Sequence, residues 1–400
     1  MKKPPKNSIK LALVVPHIFL HKDIINNVIF SPGQLALELA NNLKDYNVDV
    51  TLCTPGPVNC NVKNLTADLS LFNKELKLRG DTYISLLKKH PFTFVSLARQ
   101  VQSELIADVY SRANKGDFDI VHIYTNEEDT ALHFAKLCNK PVLFTHHDPY
   151  NFMAKYKSVF PKYKNLNWIS VSYAQRKGMP KDTNWVGNVY HGLNPKDFKI
   201  YKKDSKAPYL AYFGRIVPQK GVHLAIKAVQ IYNKQNQNKP MRLKIAGKHY
   251  ADYKNDTYWQ KQILPNLDDF ITYEGFIKDT KQKNMYLSKA LATIMPSTFE
   301  EPFGMVAIES LASGTPVLAL KSGALPEIID NTCGIIIKQS KNDTETAKNL
   351  SQAINKVIKI SPEACRSKFI QNYTAQKMLS SYSNCVSDLL SQVIFENISN

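Results

Sequence analysis

Ala292-Thr293-Ile294-Met295-Pro296-Ser297-Thr298-Phe299-Glu300-Glu301-Pro302-Phe303-Gly304-Met305-Val306-Ala307-Ile308-Glu309 leads on to Gly314-Thr315-Pro316-Val317. Residues 292–295 form a short apolar run closed by Pro296. No breaker interrupts the stretch between Gly304 and Gly314, and a second apolar run follows over 316–320. Strand, loop, helix, turn and strand in that order make a βαβ unit, which belongs to a parallel sheet covered by helices.

The same rhythm extends outward in both directions. Apolar runs at 209–213, 243–246, 271–273 and 334–337 alternate with helix-period segments, and the first half repeats the pattern at 11–15, 48–54, 120–125, 142–146 and 168–172. Leu35, Leu39 and Leu43 recur every four residues after Ser31-Pro32-Gly33, which predicts an amphipathic helix opening at a glycine-containing turn and packed on the sheet. A polar, Lys-rich interval at 197–208 separates the two series, so the boundary is placed near residue 200. The expected fold class is α/β: two doubly wound, Rossmann-like domains facing a cleft, with ligands outside the carboxyl ends of the strands.

Composition fits that architecture. The 400 residues are 44% hydrophobic and 22% charged, with 15 Gly and 21 Pro, which excludes disordered and collagen-like chains. Of 52 cations and 34 acidic residues, 26 and 17 fall in residues 1–200, so the +18 charge is spread evenly. An even basic excess suits nucleotides, nucleic acid or phospholipid headgroups, and equally suits plain solubility. Cysteines 53, 60, 138, 333, 365 and 385 form no C-x-x-C pair and no zinc spacing with histidine, which reads as reduced thiols of a cytoplasmic protein. Met1-Lys2-Lys3 before the apolar run imitates a secretory leader. That run stops at Pro16 with no small-residue cleavage site, so it is read as the first strand. No stretch approaches the roughly 18–20 apolar residues of a membrane span.

Two strand ends carry chemistry. Phe213-Gly214-Arg215 and Pro218-Gln219-Lys220-Gly221 place two cations between glycines in one loop, a phosphate-binding design: Arg offers a fixed fork, Lys a mobile charge, and the glycines admit an oxyanion to the backbone. Taken alone, such a loop is more commonly a surface turn. In the opening stretch, Glu301 precedes a helix whose first N–H groups, at Phe303, Gly304, Met305 and Val306, lack partners, and Glu309 lies inside that helix. A diphosphate resting on those amides would have a carboxylate toward each end, which is the layout of hexose, diphosphate and ribose in a sugar nucleotide. The plainer alternative leaves Glu301 complementing the helix dipole and Glu309 on a solvated face.

From Tyr209 to Glu327 the chain resembles the retaining glycosyltransferases of group one, also called family four, which have the GT-B fold. The resemblance is carried by Phe213-Gly214-Arg215 with Lys220-Gly221, Ile245-Ala246-Gly247, Tyr273-Glu274-Gly275-Phe276, Met295-Pro296-Ser297, Glu301-Pro302-Phe303-Gly304 with Glu309, Ala312-Ser313-Gly314-Thr315-Pro316-Val317 and Gly323-Ala324-Leu325-Pro326-Glu327. It implies that Arg215 and Lys220 hold the donor diphosphate, that Glu301 contacts the transferred sugar and that Glu309 bonds the ribose hydroxyls. Phe303 to Val306 would supply amides, and Gly275, Phe276 and Ile277 would lie near the base.

The first half resembles the family more loosely. The usual Gly-Gly pair stands here as Pro32-Gly33, of which Gly33 alone is carried over as a donor-loop residue. Val142-Leu143-Phe144-Thr145-His146-His147-Asp148 aligns His147 with the family's histidine facing the sugar. Adjacent residues on an extended strand point to opposite faces, so His146, His147 and Asp148 are not read as metal ligands. Asp117-Phe118-Asp119 imitates a metal-diphosphate signature but leads directly into a buried strand, and is read as structural. Residues 83–106 mix apolar side chains with Lys88, Lys89, His90 and Arg99. Core packing broken by Pro91 is preferred there over a weak peripheral membrane contact. Met378, Leu379, Tyr382, Val386, Leu389 and Leu390 form a helical stripe, which by resemblance crosses back onto the first domain.

The expectation is a retaining, metal-independent hexosyltransferase. Residues 1–200 bind the acceptor, 208–375 the nucleotide-diphosphate sugar, and 376–400 form the crossover helix. His147, Glu301, Arg215 and Lys220 are the catalytic candidates. A UDP-sugar is favoured as co-substrate, no cofactor and no nucleic acid is expected, and the acceptor is a saccharide, a lipid-linked sugar or a small molecule. The rival readings are another GT-B nucleotide-sugar enzyme, an epimerase or phosphorylase, and a non-catalytic basic binding module.

Overall fold

The computed structural model describes residues 8–25, 28, 30–203, 207–249 and 256–399. Met1-Lys2-Lys3 and residues 204–206 of the polar interval lie outside the described residues. The chain divides into two compact units, Met1–Val189 with Met378–Asn400, and Tyr190–Lys377.

In the first unit, β1 (Ile9–Val14), β2 (Val48–Thr54), β3 (Lys63–Thr66), β4 (Ile120–Tyr124), β5 (Val142–Thr145), β6 (Asn167–Ser170) and β7 (Trp185–Asn188) form one parallel sheet of order β3-β2-β1-β4-β5-β6-β7. The strand order reverses between β1 and β4, which is the switch point of a doubly wound sheet. Edge strands β3 and β7 are missing from the sequence reading. An edge strand need not bury both faces, and Lys63-Asn64-Leu65-Thr66 accordingly shows no apolar run. Helices α1 (Ser31–Asn42), α2 (Ser70–Arg79), α3 (Tyr83–Lys89), α4 (Pro91–Asn114), α5 (Asp129–Phe134) and α6 (Ala154–Val159) connect the strands.

Two local expectations need refinement. Helix α1 already includes Ser31 and Pro32, so Gly33 lies in its buried first turn and not in a turn before it; a Cβ there would stand 2.5 Å from the Phe30 ring. Pro91 does break the helical pattern: it opens α4, whose Phe94, Ala98 and Val101 are buried with Tyr83 and Leu86, while Phe92 and Val95 are exposed.

In the second unit, β8 (Tyr209–Phe213), β9 (Arg242–Ala246), β10 (Ile271–Tyr273), β11 (Ala292–Met295), β12 (Val317–Leu320) and β13 (Gly334–Ile337) form a parallel sheet of order β10-β9-β8-β11-β12-β13. Helices α7 (Val222–Gln235), α8 (Thr280–Lys289), α9 (Met305–Ala312), α10 (Leu325–Ile328), α11 (Asp343–Val357) and α12 (Pro362–Asn372) flank it. Leu224, Val229, Leu350 and Ile354 close over Leu243, Ile245 and Leu318 in its main core. Residues 199–203 of the polar interval are anchored. Lys199 N donates to Asn284 Oδ1 at 3.0 Å and Tyr201 N to Ser288 Oγ at 2.7 Å, while Lys203 Nζ donates to Ala290 O at 2.6 Å and Thr315 Oγ1 at 2.8 Å.

Helix α13 (Ala375–Ser399) belongs to the first unit from Met378 onward. Its Tyr382 packs against Tyr124 and His122, and Ser383 Oγ donates to Tyr46 O at 3.1 Å. The two α/β units have the architecture that the strand runs imply.

His122 is fully buried beneath α13, with Nε2 2.8 Å from Thr145 Oγ1, and burial pushes its pKa down to about 3. Between that value and about 6.5 the unfolded chain binds a proton that the folded one refuses, so stability is lost as pH falls through this window. His122→Asn is expected to flatten the acid limb in urea unfolding between pH 7 and 4.5. Parallel limbs for the variant and the parent would disprove the assignment.

Candidate functional site

The strand order of the second sheet reverses between β8 and β11, which are hydrogen-bonded neighbours, so the loops after Phe213 and Met295 leave the sheet side by side. After β8, Gly214 has φ 148° and its N–H donates to Ala246 O at 3.1 Å. A Cβ on Gly247 would meet Gly214 O at 1.8 Å, so the two loops approach backbone to backbone. The buried Tyr212 hydroxyl donates to the Arg215 carbonyl at 2.8 Å, fixing the backbone while the Arg215 side chain is exposed.

The next turn, Pro218–Lys220, ends at Gly221 with φ 70°, where a Cβ would stand 2.1 Å from Pro296 O. Gln219 O accepts from Thr298 N at 2.9 Å and Phe299 N at 3.2 Å. Those bonds hold the loop from β8 against the loop from β11. Lys220 Nζ then reaches Glu301 Oε1 at 2.6 Å, with the two side chains 19% and 10% exposed.

Glu301 is held from behind. Its carbonyl accepts from Ala324 N at 2.8 Å, and Gly323, at φ 50°, leaves the space in which a Cβ would meet that carbonyl at 2.1 Å. Gly304, at φ 119°, caps α9 and brings the chain close to Leu325. Phe303 buries its ring against Tyr190, His191 and Tyr373, so its contribution to a ligand is confined to the backbone. The amides of Met305 and Val306 lie in the first turn of α9, where N–H groups have no carbonyl partner within the helix and favour an anion.

Glu309 lies further along α9, and its Oε1 is 2.5 Å from Lys283 Nζ on α8, with side chains 9% and 19% exposed. Sequence reasoning missed Lys283, because one lysine among Lys281, Lys283 and Lys289 on a polar helix has no distinguishing spacing. Gly275 has φ 77° and open space about it, Phe276 is exposed, and Ile277 packs against the Tyr286 cluster. The second unit thus gathers Arg215, Lys220, Glu301, Phe303, Gly304, Met305, Val306 and Glu309 around the switch point.

Gly33 and His147 belong to the first unit. His147 follows β5 and is nearly buried. Its N–H donates to Asn126 Oδ1 at 3.2 Å, its ring centroid is 4.5 Å from that of Tyr124, and Asn126 Nδ2 donates to Asp148 Oδ2 at 2.6 Å. Thr125 and Glu127 on either side of Asn126 have φ 142° and 71°, sterically disfavoured for such residues. His146 is engaged elsewhere, with Nδ1 2.5 Å from the buried Glu128 Oε1 amid Tyr156 and Phe160. Asn126 is a second residue that sequence reasoning missed. Asp119 Oδ2 accepts from Lys10 N at 2.8 Å, and Asp117 lies 3.7 Å from Arg112, the structural roles expected of that pair. No described helix is long and apolar enough to cross a membrane.

Residues 194–374 match the family model for glycosyl transferases group 1. An uncharacterized glycosyltransferase, MJ1607 of Methanocaldococcus jannaschii, is 29% identical over 216 residues, covering 48% of this chain and 52% of that protein. The chain spans about half or less of the first curated relatives that it matches. Among solved structures, sucrose-phosphate synthase from Thermosynechococcus elongatus superposes with a TM-score of 0.69 at 17% identity, over 96% of this chain and 100% of that one. Anabaena Alr3699/HepE in complex with UDP and glucose gives 0.65 at 16%, over 95% and 100%. These likenesses show the fold, which is GT-B.

Gly323 and Gly275 share a left-handed backbone but differ in their surroundings. Gly275→Ala, into open space, should cost about 1–2 kcal/mol. Gly323→Ala, against the Glu301 backbone, should cost about 1–3 kcal/mol more. Denaturation midpoints of the two variants test this, and equal losses would remove the close-approach argument.

Proposed function

We propose that this chain, whose residues 194–374 match the family model for glycosyl transferases group 1, transfers a hexosyl unit from a nucleoside-diphosphate sugar to an acceptor with retention of configuration. The observation that carries this reading is the pair of buried glutamates, each fixed by a lysine, one shortly before and one within a helix whose first amides are available to an anion.

The roles follow from chemistry. Arg215, Lys220 and the α9 amides receive the diphosphate, Glu301 receives hydroxyls of the sugar and Glu309 those of the ribose. Lys220 carries three donors and can keep Glu301 while bonding a phosphate oxygen. When the bond from the anomeric carbon to the phosphate oxygen breaks, charge grows on the diphosphate, where preorganised cations and amides stabilise it most. The acceptor oxygen forms the new bond on the same face, and its proton passes to the departing phosphate oxygen. His147 is assigned to the first unit's share of acceptor binding. A uracil base is favoured because the Anabaena relative of like fold is described with UDP.

The test begins with thermal unfolding in UDP, GDP and ADP, with and without EDTA. A ligand at about 100 times its Kd adds about 2.7 kcal/mol, and one nucleotide is expected to do so with EDTA present. No shift from any nucleotide at millimolar concentration would sink the reading. Once a donor is found, Lys220→Ala and Glu301→Ala are each expected to lower kcat by about 10²–10³-fold. Near-parental turnover in either folded variant would remove that residue's role, and NMR of the product's anomeric configuration decides retention.

A further inference from the structure

Lys283 has so far been given no part toward a ligand, yet it lies within the same group of side chains. Its ammonium is 2.5 Å from Glu309 Oε1 and 5.7 Å from the Phe213 ring centroid. Phe213 ends β8 immediately before Gly214-Arg215, so the charge sits between the helical glutamate and the strand end that leads into the cationic loop. Neither side chain is more than a fifth exposed.

We propose that Lys283 is a positioning and specificity residue which, with Glu309, selects a nucleotide bearing the ribose diol. The inference rests on the assignment of Glu309 to the ribose. A carboxylate is an acceptor only, whereas each hydroxyl of a vicinal diol both donates and accepts. Oε1 is engaged by the lysine, while Oε2 makes no hydrogen bond to another described residue. The ammonium spends one donor on Glu309 and retains two. The pair therefore supplies what a diol needs: acceptors for its protons and donors for its oxygens. Lys283 also opposes the desolvation of Glu309 and holds it in one rotamer, which a lone carboxylate on α9 would lack. A site built around hydroxyls is left with unmet polar groups when the hydroxyls are missing, and so it discriminates strongly.

The experiment measures calorimetric affinities of the full-length chain for UDP, GDP and ADP and for the 2′,3′-dideoxy form of each. The parent should prefer its ribonucleotide by at least about tenfold. Lys283→Met and Lys283→Gln should reduce that preference to about threefold or less, chiefly by weakening the ribonucleotide while the dideoxy affinity stays nearly constant; Lys283→Arg should restore it. A preference retained in both the Met and Gln variants overturns the proposal. So does an equal fall in both affinities, or failure of both variants to fold, since each marks a merely structural lysine. Glu309→Gln separates the layers. If it abolishes the preference while the Lys283 variants keep it, Lys283 alone is misassigned. If the parent binds no ribonucleotide, or shows no preference, the donor-site reading fails and the proposal falls with it.

Discussion

A carboxylate withdrawn from water needs a compensating charge or a set of donors, and the carboxyl end of the second sheet holds two such groups, only 10% and 9% exposed. Each is met by a lysine from another element, 81 positions away for Glu301 and 26 for Glu309. Much of the local backbone follows from that requirement. Lys220 reaches Glu301 only if its loop lies on the loop after β11, which the Gln219 carbonyl secures and which Gly221 permits by leaving room for Pro296. Glu301 in turn lies against Gly323. Ion pairs at this depth contribute little net stability, but losing one partner is costly. Their effect is therefore to select one arrangement of loops, with lysine donors left over for a ligand.

The parts of the fold legible in the sequence were those where burial leaves a periodic mark. Strands flanked on both faces, such as β8, β11 and β12, are buried almost throughout and mostly apolar, and the start of α9 is marked by Pro302 and Gly304. Edge strands β3 and β7 carry no such mark, because one side of each is unpaired and their residues are only partly covered. Glycine after proline is a turn signal, yet in α1 Gly33 serves close packing with Phe30 and Leu20. The polar interval was read as a separator, but Lys203 buries its ammonium among the Ala290 carbonyl and the Thr315 hydroxyl. A lysine satisfied by backbone oxygens looks, in sequence, like any solvated one.

The candidate site divides along the same line. Arg215, Lys220, Glu301 and Glu309, which the structure gathers at one end of the second sheet, stand out in the sequence because glycines, cations and acids fall at short separations on two loops and one helix. Lys283 and Asn126 do not, because each acts through a partner distant in sequence, and neither residue type is unusual where it stands.

This difference accounts for an asymmetry between the two kinds of likeness. The family model covers residues 194–374, whereas the structural likeness covers 96% of the chain at 17% identity. A doubly wound sheet asks only for apolar side chains of suitable volume in the right rhythm, and many sequences meet that demand. The loops after β8 and β11 ask for particular backbone angles and charges, at Gly214, Gly221, Gly304 and the Lys220–Glu301 pair, so the second unit keeps a readable motif. In the first unit, His147 is set by Asn126, by the Tyr124 ring and by a loop with disfavoured angles at Thr125 and Glu127. Those contacts join residues that in sequence read as core and loop. Strain of that kind persists only where the surrounding packing over-determines the backbone, so the polar groups after β4 and β5 are fixed by packing, without a motif to announce them.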